Sequence, residues 1–251
     1  MDERLREGWE SYDFVETTLV EQRAFADDYD PSLMYNPGCF VWDWCSNSYY
    51  QALVPTTGGS LSNSAVWQPN VNPPYPRMVP WLQTNHTPIG TCFTAWNKNP
   101  YSDQNRVRID FLLSQNGLEF SLSQVTQTIW LQFRIPYPGI GLDQWNSTET
   151  YNTGDTCFNN MDSYISLIDN NLNHTPPALP ATSDSNWQMF RIPWVFKQWV
   201  TLAAYSDSLI VNGQNEKAPD QLQQAYAALG SEYDKQTIQA GQFVGYSARV
   251  V

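Results

Sequence analysis

The spacing of apolar residues near the start of this chain is that of a helix. In residues 13–26 the apolar side chains recur about every three to four positions, at Phe14, Val15, Leu19, Val20 and Phe25. A period close to the helical repeat indicates an amphipathic helix, and a proline such as Pro31 ends one. We therefore predict an N-terminal helical segment over residues 1–31.

The pattern changes between Pro37 and Pro193, where polar and glycine-rich stretches separate short runs of aromatic and β-branched residues. Such a texture predicts strands joined by turns. Apolar and polar side chains alternate strictly over residues 128–134, which is typical of a strand with one buried face. We expect residues 77–140 to form a β-sandwich-like unit.

A β-hairpin is predicted within residues 106–120. Apolar side chains alternate with polar ones before the turn, at Val107, Ile109 and Phe111, and again after it, at Leu118 and Phe120. Asn116 and Gly117 lie between the two runs, and this dipeptide favours a tight turn in which both residues have positive φ.

The β-rich region contains an internal repeat, with one copy in residues 32–76 and another in residues 141–193. The matching residues of the first copy are Tyr35, Asn36, Gly38, Tyr49, Ala52, Leu53 and Trp67, and those of the second are Tyr151, Asn152, Gly154, Tyr164, Leu167, Ile168 and Trp187. A repeat on this scale indicates a duplicated small β-unit and bears on architecture before function.

After Pro193 the period of apolar residues returns to that of a helix. One predicted helix ends at Asn212 and Gly213, and a second begins near Pro219. We expect residues 194–251 to form an αα-hairpin followed by an extended tail from Gln242. The whole pattern predicts a mixed α+β fold: an N-terminal helix, a β-rich centre with the duplicated unit and the sandwich-like hairpin unit, and the C-terminal helical hairpin.

Composition limits the classes of function. The chain has 13 basic and 25 acidic residues, a net charge of −12, so it repels phosphate and argues against a sequence-reading nucleic-acid binder. Aromatic residues make up 14% of the chain and charged residues only 15%. Tyrosine and tryptophan are enriched at protein interfaces, so this balance predicts broad contact surfaces.

We expect neither a secretory signal nor a membrane span, because the first residues are charged and the apolar runs are short. The four cysteines show no metal-binding or disulfide-scaffold spacing. In a reducing cytoplasm they are predicted to be buried thiols; they are Cys39, Cys45, Cys92 and Cys157.

Candidate catalytic groups are few. His86 and His174 each lie in an Asn-His-Thr-Pro sequence, where proline favours a turn, and we expect both on surface turns. Neither is near a nucleophile-elbow motif, and no set of ligands has the spacing of a zinc site. The sequence therefore predicts no metal, no cofactor and no enzymatic activity.

Paired carboxylates are the remaining catalytic possibility, because glycoside hydrolysis needs two acids whose separation cannot be read from sequence. The pairs are Asp27 with Asp28, and Asp110 with Glu119. The simpler interpretation is a solvated acidic turn for the first pair and the polar face of the hairpin for the second.

The aromatic residues of the repeat allow two interpretations. Tyr49, Trp67, Tyr164 and Trp187 could stack on sugar rings, as in a carbohydrate-binding module, or they could form the small core of each β-unit. We favour the core.

Residues 192–250 resemble the C-terminal helical hairpin of head-to-tail connector, or adaptor, proteins of tailed bacteriophages. The resemblance is carried by Ile192-Pro193, Phe196, Trp199, the run from Ala203 to Asp207, Leu209, Asn212-Gly213-Gln214, Glu216-Lys217-Ala218, Tyr226, Glu232, Asp234, Gln239 and Gly241-Gln242. The first repeat, with Tyr49-Tyr50-Gln51-Ala52-Leu53, Thr56-Thr57-Gly58 and Trp67, looks like the β-insert of some members. The likeness covers about two-thirds of the chain.

The resemblance implies a structural virion protein that assembles in the host cytoplasm and forms a ring in the neck. Such a ring, usually of twelve copies, lies between the portal protein and the tail or nozzle protein and extends the channel through which DNA passes at genome ejection. The implied interface residues are Trp199, Tyr205, Tyr226, Tyr233, Phe243 and Tyr246. The alternative is a carbohydrate-binding β-module protein of a phage tail or fibre.

Overall fold

The structure is a computed structural model that describes residues 2–83, 86–120, 127–140, 143–160 and 162–244, with side chains as far as residue 239. The chain forms two compact units. Thr18–Pro136 is the central unit, and Met1–Thr17 with Tyr137–Val251 is the terminal unit. Helices and strands are both present, as the mixed pattern of the sequence predicts.

The described part of the central unit is built from short strands. They are β1 (Thr18–Ala24), β2 (Asp27–Asp28), β3 (Met34–Tyr35), β4 (Phe40–Asp43), β5 (Ser48–Ala52), β6 (Thr56–Thr57), β7 (Trp67–Pro69), β8 (Arg77–Pro80), β9 (Thr91–Trp96), β10 (Arg108–Ile109), β11 (Leu112–Leu113), β12 (Gly117–Phe120) and β13 (Thr128–Arg134). One sheet has the order β1-β13-β9-β10 and another the order β11-β12-β8.

The core of the central unit depends on the alternation of β13. Ile129, Leu131 and Phe133 are fully buried, while the residues between them are partly exposed, which confirms the predicted strand. Burying side chains of this size stabilises a fold by about 2 kcal/mol each.

The predicted helix over residues 13–26 is wrong. The N-terminal helix α1 ends at Ser11, a single 3-10 turn covers Val15–Thr17, and Thr18–Ala24 form β1. All seven residues of β1 pair antiparallel with β13. Each residue of β1 thus has a partner on β13, and such tertiary pairing overrides a weak helical spacing.

The predicted hairpin of residues 106–120 is only partly correct. Leu112–Leu113 pair with Leu118 and Glu119 of β12, but β10 pairs with β9 in the other sheet. Ser114 N donates to Gly117 O at 2.9 Å, so the turn is centred one residue earlier than predicted, and Gly117 has no positive φ. Glycine is needed for another reason: a Cβ at this position would overlap the carbonyl oxygen of Val79.

Two parts of the chain have a similar set of short strands, and we name each by its residues. The first β-module, residues 27–70, contains a sheet of order β2-β4-β5-β7 and the pair β3-β6. The second β-module, residues 143–190, contains β14 (Thr150–Tyr151), β15 (Thr156–Asn159), β16 (Asp162–Ser166), β17 (Asn171–Leu172) and β18 (Trp187–Phe190). Its strands form a sheet of order β15-β16-β18 and the pair β14-β17.

The helices of the terminal unit surround an aromatic core. They are α1 (Asp2–Ser11), α2 (Lys197–Val211) and α3 (Ala218–Val244). Their shared core is made of Leu5, Trp9, Phe14, Val195, Phe196, Trp199, Val200, Ala203, Ala225 and Leu229. Gly213 follows α2 with φ +73, a geometry that glycine adopts without strain.

The predicted extended tail from Gln242 is wrong for its first residues, because α3 continues through Val244. Nothing in residues 237–244 breaks the helix, since no proline follows Pro219 in the chain. The rest of that prediction, including Tyr246, lies outside the described residues.

Candidate functional site

The central unit contains a histidine held between two carboxylates. His86 Nδ1 lies 2.6 Å from Glu21 Oε1, and His86 Nε2 lies 3.3 Å from Asp28 Oδ2. Trp44 Nε1 donates to Asp28 Oδ1 at 2.7 Å, and Arg23 Nη2 donates to Glu21 Oε2 at 2.8 Å. The four side chains around the imidazole therefore form one connected polar cluster.

Burial gives this cluster its electrostatic character. The side chains of His86 and Asp28 are each 10% exposed, and that of Arg23 is fully buried. Burial raises the pKa of Glu21, but the hydrogen bond with His86 and the charge of Arg23 outweigh it and leave that pKa below its ordinary value. Glu21 is therefore ionised in the folded protein at neutral pH.

The prediction that His86 lies on a surface turn is wrong, and so is that of a solvated turn for Asp28. The strand β2 carries Asp28 into the unit beside β4, where the imidazole covers it. Within the described residues, no hydrogen bond joins His86 to a serine, threonine or cysteine side chain that could act as a nucleophile. Through His86 the cluster connects β1, which carries Glu21, to β2, which carries Asp28, and such contacts are those of a structural site.

The other acids considered for catalysis, and His174, lie at or near the surface. Asp27 and Asp110 are exposed, and Glu119 lies half-buried on β12. His174 is exposed, as predicted, and its Nδ1 lies 2.8 Å from Asn171 Oδ1 in the second β-module.

The cysteines differ from the prediction at two positions. Cys39 and Cys45 are exposed because both lie in turns that flank β4, whereas Cys157 is buried and Cys92 is half-buried. Burial raises the pKa of Cys92 and of Cys157 to about 12.

The aromatic rings considered for glycan stacking are buried. Tyr49, Trp67, Tyr164 and Trp187 are each at most 1% exposed. Tyr49 OH accepts a hydrogen bond from Phe25 N at 2.9 Å. All four belong to hydrophobic cores, so they cannot present a face to a sugar, and the interpretation as core agrees with the structure.

The first and second β-modules have the same hydrogen bonds at matching positions. Gly38 N donates to Ala52 O at 2.8 Å in the first, and Gly154 N donates to Ser166 O at 2.9 Å in the second. Both glycines have φ near +90°, at +90 and +91. The two turns therefore enter their sheets with the same geometry.

A matching tyrosine and tryptophan lie at the centre of each module. The hydroxyls of Tyr35 and Tyr151 accept hydrogen bonds from the backbone N–H five residues earlier, at 2.7 and 3.0 Å. The rings of Tyr35 and Trp67 lie 5.4 Å apart, those of Tyr151 and Trp187 lie 5.1 Å apart, and the interplanar angle is 69° in both.

The strand register shifts three pairs of the predicted repeat by one residue: Tyr50, Ala52 and Leu53 match Tyr164, Ser166 and Leu167. Tyr50 pairs with Val41 in the first module, and Tyr164 pairs with Cys157 in the second. Tyr50, not Tyr49, is thus the counterpart of Tyr164. A shift of one residue moves a side chain to the other face of a sheet, and Tyr49 accordingly packs in the main core of the central unit.

The predicted interface residues have different environments in the terminal unit. Trp199 is fully buried and donates to Arg4 O at 2.8 Å, so it belongs to the core. Tyr233 is half-buried and its ring lies 4.9 Å from that of Tyr12. Tyr226 is 37% exposed, and its hydroxyl donates a hydrogen bond to Glu7 Oε1. Phe243 lies in α3, and its side chain is outside the described residues, as is Tyr246.

Tyr205 lies on an exposed stripe that we call the α2 outer face. Its members are all exposed and uncharged, and they are Trp194, Gln198, Thr201, Tyr205, Ser208 and Asn212. Their spacing alternates between four and three residues, which is the spacing of a helix seam that packs against another helix. Trp194 is 69% exposed and Tyr205 is 52% exposed, so two large rings stand on this stripe.

Other classes of site find no support in the part of the chain that is described. None of its helices is both long and apolar enough to cross a bilayer. Its His, Cys, Asp and Glu side chains nowhere gather in threes or more as metal ligands would. No protein-family model, curated protein or solved structure matches this chain.

Proposed function

We propose that this chain is a structural virion protein that assembles as a ring, a head-to-tail connector between the portal and the tail or nozzle protein. The α2 outer face is the observation on which the proposal rests. A stripe with helix-seam spacing, two exposed rings and no charge is suited to being covered by another protein surface. The residues that resemble phage connectors include this helix.

The charge of the chain supports self-association through this face. Two copies that each carry a net charge of −12 repel one another, so contact between them is least opposed where charges are absent. Interface cores are depleted in charged residues and enriched in tyrosine and tryptophan. The same negative charge would allow DNA to pass through a channel without being held.

The candidate chemical groups favour a structural role over catalysis. His86 and Asp28 are buried in contacts between strands, and His174 bonds within its own turn. The carbohydrate-binding alternative has lost the four rings on which it relied, because they are buried in the modules.

We also infer that the first and second β-modules are copies of one duplicated unit. Matching hydrogen bonds, matching positive-φ glycines and matching tyrosine–tryptophan pairs support this inference. In a ring subunit, two copies of a module would offer repeated contact sites to neighbouring proteins.

Substitution on the α2 outer face tests the ring. The variant Trp194→Asp with Tyr205→Asp places charge on the stripe and should abolish closed rings in native mass spectrometry, alone and with the portal protein. Tyr101→Asp is the matched control, since Tyr101 is an 81% exposed tyrosine of the central unit. Rings that survive the double substitution would contradict the proposed interface.

A further inference from the structure

The hydrogen bonds beside β4 and β15 show which residues match at the entry of each β-module. Tyr29 N donates to Trp42 O at 2.9 Å in the first module, and Trp145 N donates to Phe158 O at 2.8 Å in the second. Trp42 is the third residue of β4 and Phe158 is the third residue of β15, and each strand pairs with the tyrosine-bearing strand that follows it. Tyr29 therefore matches Trp145.

The loops that follow β6 and β17 also match. β6 pairs with β3 as β17 pairs with β14, and the residue directly after each strand has positive φ. These residues are Gly58, with φ +62, and Asn173, with φ +59. The next residue along the loop is Gly59 in the first module and His174 in the second. The carbonyl groups of Gly59 and His174 thus occupy equivalent positions.

The two equivalent carbonyls accept hydrogen bonds from different side chains. Trp187 Nε1 donates to His174 O at 2.7 Å in the second module. In the first module the Tyr29 hydroxyl donates to Gly59 O. Trp67 matches Trp187 by its strand pairing, but the carbonyl equivalent to the acceptor of Trp187 is bonded to Tyr29 instead.

Trp67 is therefore left with a buried donor. Its side chain is fully buried, and its Nε1 has no hydrogen-bond partner within the described residues. The second module shows the reverse, because Trp145, which matches Tyr29, has a buried Nε1 that is likewise unpartnered in the described part of the chain. Each module thus has one such carbonyl for two aromatic donors. A buried donor without an acceptor costs free energy, and ordered water is a common partner for it.

The surroundings of Trp67 favour a small acceptor that bridges it to Gly59. Trp67 belongs to the core of the first module, and its ring lies 5.6 Å from that of Tyr29 in an edge-to-face contact. A carbonyl oxygen has two lone pairs, so Gly59 O can accept a second hydrogen bond beside that from Tyr29. Water both accepts and donates, and it can join an N–H group to a carbonyl that is beyond direct hydrogen-bond distance.

We propose that the first β-module binds one buried water molecule, which accepts a hydrogen bond from Trp67 Nε1 and donates one to the carbonyl oxygen of Gly59. The hydroxyl oxygen of Tyr29, which is bonded to the same carbonyl, offers an acceptor for the second proton of the water. An anion could accept from Trp67, but the carbonyl oxygen would repel it. The proposal follows from the matched contacts of the two modules and does not require ring formation.

The test is NMR of the full wild-type chain with isotopically labelled tryptophan, in which cross-relaxation between water and each indole N–H is measured. The Trp67 indole proton should show NOE and ROE cross-peaks to water that have opposite signs, which identify a bound molecule rather than proton exchange. Trp187 is the matched control, since its indole bonds directly to His174 O, and it should show no such peak. Trp67→Phe and Trp187→Phe each remove one of the eleven indole signals and so assign the two.

A crystal structure of the unsubstituted chain gives a second readout that does not depend on how either variant folds. It should show a water oxygen about 2.9 Å from Trp67 Nε1. A protein oxygen or an anion at that position, or the absence of a water cross-peak at Trp67, would overturn the proposal. Cross-peaks of equal strength at Trp67 and Trp187 would also overturn it, because the two modules would then not differ at this site. Neither readout involves the portal protein or ring assembly, so failure of the ring proposal is distinguishable from failure of this one.

Discussion

His86 Nδ1 lies 2.6 Å from Glu21 Oε1 inside the central unit, and the opposite ring nitrogen faces Asp28 at 3.3 Å. The contact joins β1, which belongs to the main sheet, to β2, which opens the first β-module. A single imidazole therefore connects two sheets, the one that contains β1 and the one that contains β2. Both of its nitrogens face carboxylate oxygens.

Replacing His86 should destabilise the protein. His86→Ala removes the imidazole that lies between Glu21 and Asp28 and leaves their buried oxygens without that partner, and we expect a loss of about 2 kcal/mol in the free energy of unfolding, as for unsatisfied buried polar groups. His86→Gln, which can still donate one hydrogen bond, should lose less. Urea unfolding followed by tryptophan fluorescence measures both.

His174→Ala is the control for this experiment, because His174 is exposed and makes one side-chain hydrogen bond. It should change the free energy of unfolding by no more than about 1 kcal/mol. Equal effects of the two alanine substitutions would show that the cluster contributes nothing beyond an ordinary surface contact.

Stability should fall in acid partly through Glu21. Its pKa is lower in the folded protein than the ordinary value of 4.5, because the contacts with His86 and Arg23 outweigh burial. A lowered pKa stabilises the fold above the unfolded-state value, and this stabilisation is lost as the pH falls through the folded-state value. Glu21→Gln should therefore be less stable at neutral pH and show a flatter decline below pH 4.5 when urea midpoints are compared. An unchanged slope would contradict this role.

Two helical glycines should respond in opposite ways to alanine. A Cβ on Gly8 of α1 would overlap the indole ring of Trp199, so Gly8→Ala should cost about 2 kcal/mol. At Gly230 of α3 the nearest atom outside the helix is Tyr12 Oη at 3.4 Å, which leaves room, and Gly230→Ala should gain up to about 1 kcal/mol. Thermal unfolding of the two variants gives the comparison. Destabilisation of both by the same amount would contradict the packing of α1 against Trp199.

The four thiols should fall into two classes. Cys39 and Cys45 are exposed, whereas burial raises the pKa of Cys92 and Cys157 to about 12 and keeps them in the unreactive thiol form. A disulfide reagent at neutral pH should modify two thiols rapidly in the native protein and four after denaturation. Peptide mapping that finds Cys157 in the rapid class would contradict the burial.

The sequence predicts strands where alternation is strict and fails where spacing fits two structures. Ile129, Leu131 and Phe133 alternate with polar residues, and β13 follows that pattern. The apolar residues of the segment before Ala26 have irregular spacing that a helix or a strand can bury, so only the pairing with β13 decides.

The residues that meet in the His86 cluster come from distant parts of the chain, and the sequence does not show which of them lie in contact. The approach of His86 to Asp28 joins residues 58 positions apart, and no local pattern signals it. The sequence predicts a repeat in which Tyr49 matches Tyr164, whereas the strand pairings place Tyr50 at the position that matches Tyr164. On the α2 outer face, the sequence predicts Tyr205 as an interface residue and does not single out Trp194.

The most direct test of the central claim is electron microscopy of the full chain mixed with the portal protein that the proposed ring would contact. The ring proposal predicts closed rings of this chain stacked on the portal, with the α2 outer face covered by a neighbouring copy. A chain that stays monomeric in the presence of the portal, or that occupies a tail fibre instead of the neck, would contradict it.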